Sequence, residues 1–452
     1  MALSRFSILL LPIALLAAAP PLSETYKEAS TQIIGAALAD QDGYAKLSYL
    51  CDRIGNRISG SDSLNAAIAW AAAQMQRDGL ENVATSPVKV PHWVRGREDA
   101  EMVKPVRHRL TMIGLGGSVA TPPDGITAEV VSVASFDALN ALGRDKVSGK
   151  IVLFNVPYEG YGKTVTYRAA GPSRAAGLGA VAMLIRSVGS LAMQTPHTGA
   201  LNYTEADPKI PAAAITFEDA TLIQRLADAG ETVVVRLSME AHMLPDADSA
   251  NVMGEIRGRE KPEEIVVMGG HIDSWDVGAG AQDDGSGIMA ALEAAVVIKK
   301  LGLHPRRTLR VVFWTNEENG GAGGRAYRDM VGGKIHDYVA SIEMDGGAEK
   351  PVGFGVSPGG VALARAKEIG RLLEPIGADS IREGGGGADI APLMHDGVPG
   401  LGLFTVGQHY FDWHHTRTDT VDKVNPQEFR QCIAAMAVMG YVLADMPERL
   451  GE

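Results

Sequence analysis

The sequence predicts an α/β fold: a mostly parallel sheet with helices on both faces, interrupted by a smaller inserted unit. Three observations carry this. The second half alternates short strand-like runs with helix-like runs, the pattern of a parallel sheet wrapped by helices. Between about residues 102 and 250 the texture changes to Val-, Ile- and Ala-rich runs broken by Gly and Pro. The chain has 452 residues, beyond the size at which one hydrophobic core usually stops growing, so two domains are expected.

Residues 1–19 read as a secretory signal. Arg5 is the positive flank, residues 6–18 the apolar core, and Ala17, Ala18 and Ala19 the small-residue cleavage region. That apolar run is shorter than the roughly 20 residues a membrane span needs; an uncleaved anchor is the alternative. No later stretch is long and apolar enough to span, so the mature chain is expected to be exported, secreted or periplasmic.

Residues 24–40 read as a polar helix. Asp40, Asp42 and Gly43 resemble the start of a calcium loop, but no Glu follows at the required position, so a turn is expected. Residues 54–61 read as a loop. Residues 64–77 show helical spacing at Leu64, Ile68, Ala72 and Met75, with Ser63 as the N-cap and Gly79 as the stop. In the middle region, residues 149–154 read as a strand. Residues 175–185 read as a small-residue helix running into a strand, with Gly177 and Gly179 at the turn, and residues 210–215 as another short strand. No constellation of His, Asp and Glu is visible there. The Gly114–Gly117 run lacks the strand-to-helix context of a dinucleotide fingerprint. In the second half the strand-like runs are 264–268, 308–314, 339–344 and 400–405. The helix-like runs are 288–300, 325–331, 361–375 and 429–446.

Composition narrows the partners. Lys and Arg number 42 against 54 Asp and Glu, a net charge of −12. Nucleic-acid binding needs a basic face, so it is not expected. There are two cysteines, Cys51 and Cys432. They form neither a disulfide framework nor a zinc-thiolate motif, and read either as one bridge or as two buried thiols.

The chemistry centres on residues 269–287, GGHIDSWDVGAGAQDDGSG. An apolar strand precedes this acidic, Gly-rich loop and a helix follows it. In open α/β sheets that is where ligands bind. His nitrogen and Asp oxygen are good ligands for zinc and similar ions. His271 and Asp273 point the same way if the segment is extended, so Asp273 could ligate directly or orient the imidazole from behind. Asp284 or Ser286 can cap the helix. Three more acidic or His segments lie at strand ends or before the last helix: Asn316-Glu317-Glu318-Asn319, Glu343-Met344-Asp345-Gly346 and the segment from Trp413 through His414, His415 and Asp419 to Thr420.

Charge balance favours two ions. With His271, Asp283, Glu318, Asp345 and His415 as ligands, three carboxylates and one bridging hydroxide neutralise two divalent ions. A bridging carboxylate holds two ions about 3.5–4 Å apart, and Asp283, at a helix start, is the natural bridge. Glu317, beside a ligand, is left as general base for the bridging water.

The motifs H-x-D, D-D-G-S-G, E-E-N-G, E-x-D-G and H-H-T-x-x-D-T together resemble the co-catalytic zinc exopeptidases of the bacterial leucyl aminopeptidase and glutamate carboxypeptidase group. The resemblance covers nearly the whole mature chain. It implies a catalytic domain in two parts, residues 20–105 and 249–452, around a protease-associated-like insert at residues 106–248. It implies two zinc ions per chain, one held by His271 and Asp345, the other by Glu318 and His415, with Asp283 bridging, Glu317 as base and Asp273 orienting His271. The implied reaction is hydrolysis of dipeptides or of terminal peptide bonds, of carboxypeptidase or dipeptidase type, with an aminopeptidase as the alternative. A glutaminyl cyclase or a binding ectodomain is the non-hydrolytic alternative. A homodimer is implied by the family alone. Residues 384–389 resemble the substrate-side loop. Certain relatives carry a Tyr where His414 stands, so His414 or Tyr410 is the expected oxyanion donor. Arg417 is a candidate receiver for a substrate carboxylate.

Overall fold

The computed structural model describes residues 20–191 and 193–452; the secretory segment read at residues 1–19 lies outside them. Two eight-stranded sheets are present. At the centre of the first, four strands run parallel in the order Arg307–Trp314, Lys261–His271, Tyr338–Glu343 and Gly400–Thr405. They match the four runs read from the sequence, except that the third strand ends at Glu343, one residue short of the run read at 339–344. Each is buried on both faces, so the apolar residues run without alternation. Val266 and Met268 face one core, packed under the helices Ser286–Lys300, Pro426–Asp445 and Lys27–Ala39. Ile265 and Val267 face the other, with Trp314, Tyr327 from Ala322–Val331 and Leu393 from Ala391–His395. Successive strand side chains point to opposite faces, and here each face has its helix layer.

The flanks of this sheet are mixed. Glu81–Val94 pairs antiparallel with His242–Ile256, which pairs antiparallel with Arg307–Trp314. On the far side, Pro351–Ser357 runs antiparallel to Gly400–Thr405 and parallel to Ser380–Glu383. These two edge strands escape a reading based on apolar runs, because Gly353, Gly355 and Arg382 interrupt them.

The second sheet draws its eight strands from Glu98–Lys104 through Val234–Met239. Ile151–Phe154, Ala182–Arg186 and Ala212–Ile215 are its buried parallel centre. Its first strand precedes residue 106. The chain leaves the first sheet near Val94 and returns near His242, residues that are register partners.

Three local readings need correction. Asp42 opens a helix, Asp42–Tyr49, where a turn was expected; the Asp40 side chain accepts the Gly43 N–H at 2.8 Å and starts it. The helix Asp62–Arg77 is capped by Ser61, which accepts from Leu64 N–H, and not by Ser63. Residues 361–375 divide into an α-helix, Val361–Gly370, and a tighter 3₁₀ segment through Ile376 that contains Pro375. Cys51 and Cys432 are two buried free thiols. Among the described residues no helix is long and apolar enough to cross a membrane.

Candidate metal centre

Parallel strands bring their carboxyl ends to one rim, and the candidate residues stand there. His271 ends its strand. Glu317 and Glu318 follow Arg307–Trp314, and Asp345 follows Tyr338–Glu343. His415 comes after a short helix, Tyr410–Trp413. Two backbones at this rim are left-handed, Asn316 at φ 65° and His415 at φ 61°. Such conformations persist where surroundings over-determine them. For Asn316 the surroundings are Ser59 Oγ, which accepts from its Nδ2 at 2.9 Å, and the Ala322 N–H, which donates to its Oδ1 at 3.1 Å.

The other four candidate ligands gather around Asp283. Its Oδ1 lies 3.2 Å from His271 Nε2 and its Oδ2 lies 3.3 Å from His415 Nε2. His271 Nε2 is also 3.5 Å from Asp345 Oδ1, and His415 Nε2 is 3.0 Å from Glu318 Oε2. Two donor groups therefore share one carboxylate. Asp283 Oδ2, Glu318 Oε1 and Asp345 Oδ1 are buried and accept no hydrogen bond. Buried anionic oxygens without partners are costly, and mixed nitrogen and carboxylate donors suit a borderline divalent ion such as zinc. The residues fit the group they were expected to hold. Asp345 is the most exposed member, its side chain 24% accessible against 1–7% for the other four ligands.

A scaffold of main-chain bonds fixes these groups. Asp284, joined to Asp283 by a cis peptide, accepts from His271 N–H at 3.1 Å and from Gly287 N–H at 3.0 Å, tying strand end to helix start. Between the open cap alternatives, Asp284 takes the role; Ser286 donates instead to the Gln282 carbonyl. Gly287 is required by contact, since a Cβ there would lie 1.9 Å from the Met344 carbonyl oxygen. Asp419 accepts three consecutive N–H groups, those of Ala281, Gln282 and Asp283. Arg57, fully buried, donates to the carbonyls of Ile272, Ala279 and Gly280 and so shapes the loop between His271 and Asp283. Asp273 acts in two directions. Its main-chain carbonyl accepts from His271 Nδ1 at 2.9 Å, while its carboxylate accepts the N–H groups of Glu317 and Glu318. The carboxylate itself stands 3.7 Å from His271 Nδ1.

Packing so many acids together moves their protonation. Burial, reinforced by Asp345 and Glu318, lifts Glu317 well above the usual carboxylate range. Burial and Asp283 push Glu318 up to about 7. Burial opposes charge on His271 and His415, but the carboxylates facing them, Asp283 and Asp345 for His271 and Glu318 and Asp283 for His415, outweigh it and hold both well above the ordinary imidazole value. Burial and the neighbouring His415 keep His414 far below it.

His414 and Tyr410 both border the centre. The His414 ring stacks on His415 with centroids 3.5 Å apart, and its Nε2 is 3.6 Å from Asp283 Oδ2. Tyr410 packs 5.2 Å from the His414 ring. Arg417 is exposed. It lines a cavity of about 520 Å³ with Glu98, Arg109 and Thr111, and none of the five candidate ligands lines that cavity. The loop at residues 384–389 packs behind the rim. A Cβ on Gly387 would lie 2.0 Å from the Glu343 carboxyl group, and Asp389 is buried with neither oxygen bonded.

The middle region, which carries no acidic or His constellation in sequence, nevertheless reaches the centre. His197 Nδ1 lies 2.8 Å from the His414 carbonyl, and the Thr198 carbonyl lies 3.3 Å from His415 Nδ1. Arg168 Nη1 stands 3.4 Å from the same nitrogen. Tyr161 packs edge-on to His414 at 4.8 Å and stacks on Phe411. An Arg, a main-chain carbonyl and aromatic rings leave no metal-ligand spacing to find in a sequence.

Comparison with known proteins gives the family. Residues 251–439 match the model of peptidase family M28. Carboxypeptidase Q of Bos taurus and of Homo sapiens are each 44% identical over 412 residues, covering 91% of this chain and 87% of theirs. A solved peptidase M28 precursor from Shewanella amazonensis superposes with a TM-score of 0.92 at 33% identity, over 94% of this chain and 98% of that one. A zinc aminopeptidase from Bacillus subtilis shares the fold, with a TM-score of 0.66 at 21% identity over 90% and 96% of the two chains.

Proposed function

Because the chain belongs to peptidase family M28 and is a zinc metallo-exopeptidase, we propose that it hydrolyses dipeptides or C-terminal peptide bonds with two zinc ions per chain. The observation that carries the two-ion reading is Asp283, whose two oxygens face different histidines, each with a further carboxylate beside it. In this reading His271 and Asp345 hold one ion, Glu318 and His415 the other, and Asp283 bridges. Zinc bound there lowers the pKa of a water molecule and polarises the scissile carbonyl.

The remaining steps belong to the chain. Glu317, next in sequence to the ligand Glu318, takes a proton from the attacking water and returns it to the leaving amine. Asp273 keeps Glu317 in place through the backbone and His271 in orientation through its carbonyl. Tyr161, Phe411 and His414, from the helix Tyr161–Gly177 and the segment around Tyr410–Trp413, form an aromatic wall that limits water beside the reacting bond. Residues 106–248 are read as the inserted domain that supplies part of this wall.

The carboxypeptidase or dipeptidase polarity is favoured by the 44% identity to proteins named carboxypeptidase Q; the aminopeptidase neighbour at 21% shares only the fold. The test is hydrolysis of an unblocked dipeptide beside the same dipeptide amidated at its C-terminus. Cleavage of the free form alone supports the proposal. Equal cleavage of both makes the enzyme an aminopeptidase. Export after removal of residues 1–19 completes the reading, and a mature N-terminus lying before residue 19 in mass spectra removes it.

A further inference from the structure

The two halves of the metal centre are matched at the ligands and unmatched behind them. Each half shares Asp283 and adds one His and one carboxylate: His271 with Asp345, and His415 with Glu318. The groups behind the two imidazoles carry opposite charge. His271 Nδ1 meets the Asp273 carbonyl at 2.9 Å, with that residue's carboxylate 3.7 Å away. His415 Nδ1 meets the Thr198 carbonyl at 3.3 Å, with the Arg168 guanidinium 3.4 Å away.

Arg168 is set there firmly. It is 6% exposed. Its Nε donates to the Ala200 carbonyl, its Nη1 to the Thr198 carbonyl and its Nη2 to the Tyr161 hydroxyl. Among the described residues it forms no ion pair with a carboxylate. Gly199 lies flat against it, and a Cβ there would come 2.2 Å from Nη1. A buried guanidinium with only neutral partners is poorly screened, so its charge is felt at His415 and beyond. Negative charge behind a ligating imidazole makes it a stronger donor, and positive charge acts the other way.

We propose that Arg168 is a positioning residue that makes the two metal positions unequal: it clamps the Thr198 carbonyl onto His415 while its charge renders the His415–Glu318 position the weaker-binding one. The inference rests on the two-metal reading above. The polypeptide segment around the second sheet thereby tunes a metal position whose ligands all stand at the rim of the first.

The test is zinc titration of the metal-free, full-length protein against a chromophoric chelator. Two binding steps of unequal affinity are expected, the weaker lost in His415→Ala and the tighter lost in His271→Ala. Loss of the tighter step in His415→Ala, or two equal steps in the unsubstituted protein, overturns the proposal and leaves the two-metal reading standing. A single zinc per chain overturns both. Arg168→Met and Arg168→Lys then separate charge from clamp, since both lose the planar fork and only one loses the charge. The Met variant is expected to bind the weaker zinc at least about ten-fold more tightly than the Lys variant. Equal or weaker binding by the Met variant shows the clamp alone and overturns the charge assignment.

Discussion

The Asp273 carboxylate accepts the backbone N–H of Glu317 at 3.0 Å, so the proposed base is anchored by the same residue whose carbonyl orients a proposed metal ligand. Asp273→Ala strips acceptors from two N–H groups, those of Glu317 and Glu318. Each unpaired buried group costs about 1–3 kcal/mol. Zinc affinity at the Glu318–His415 position is expected to fall about 10- to 100-fold, with kcat falling alongside. Chelator competition and steady-state kinetics check this, and unchanged zinc affinity counts against the anchoring role.

Glu317→Gln keeps the size and the backbone bond to Asp273 while removing the proton acceptor. The variant is expected to retain both zinc ions and lose about 10²–10⁴-fold in kcat. Zinc content by elemental analysis, read beside turnover, decides it. Activity within a few-fold of the unsubstituted enzyme removes Glu317 from proton transfer.

Asp419→Asn is nearly isosteric and tests the support under Asp283. One carboxylate oxygen accepts from Ala281 and Gln282, the other from Asp283. An amide can replace only the first; its NH₂ then faces the Asp283 N–H, donor against donor. Destabilisation of about 1–3 kcal/mol is expected, visible in urea unfolding of the metal-free protein. An unchanged midpoint would mean that the Asp283 loop holds itself.

Glu293 provides a pH prediction away from the ligands. It is fully buried within Ser286–Lys300 and paired with Lys46, yet burial outweighs that lysine and pushes its carboxyl up to about 7. A raised acid binds its proton more tightly folded than unfolded. Its stabilising contribution is present below the unfolded value near 4.5 and is lost as pH rises through about 7. Glu293→Gln is therefore expected to match the parent at pH 5 and to exceed it by up to about 2 kcal/mol at pH 8. Parallel stability curves at both pH values would contradict it.

The central sheet was legible because parallel strands buried on both faces are continuous apolar runs, as in residues 265–268 and 311–314. Motifs at those strand ends pointed to the residues now found together around Asp283. The edge strands were not legible, since Gly353 and Gly355 supply no side-chain pattern. The helix at Asp42–Tyr49 was hidden by its cap: Asp40 and Gly43 signal a turn unless the next two helical turns are known to be buried. Arg168, Thr198 and Tyr161 were illegible for another reason. Their relation to His415 spans more than two hundred positions and runs through a main-chain carbonyl and a guanidinium, for which sequence spacing has no vocabulary.

The helix Lys27–Ala39 packs against Pro426–Asp445, and the Tyr26 hydroxyl donates to Asp445 Oδ2 at 3.2 Å. The opening helix thus has its partner almost four hundred residues later in synthesis. Until the ribosome has made that last helix, Ile33, Ile34 and Ala37 lack the main partner that closes over them. The second sheet, whose strands all come from between Glu98 and Met239, has no such wait. Nascent chains should therefore acquire protease resistance in the middle first and at both ends together, only after the final helix emerges.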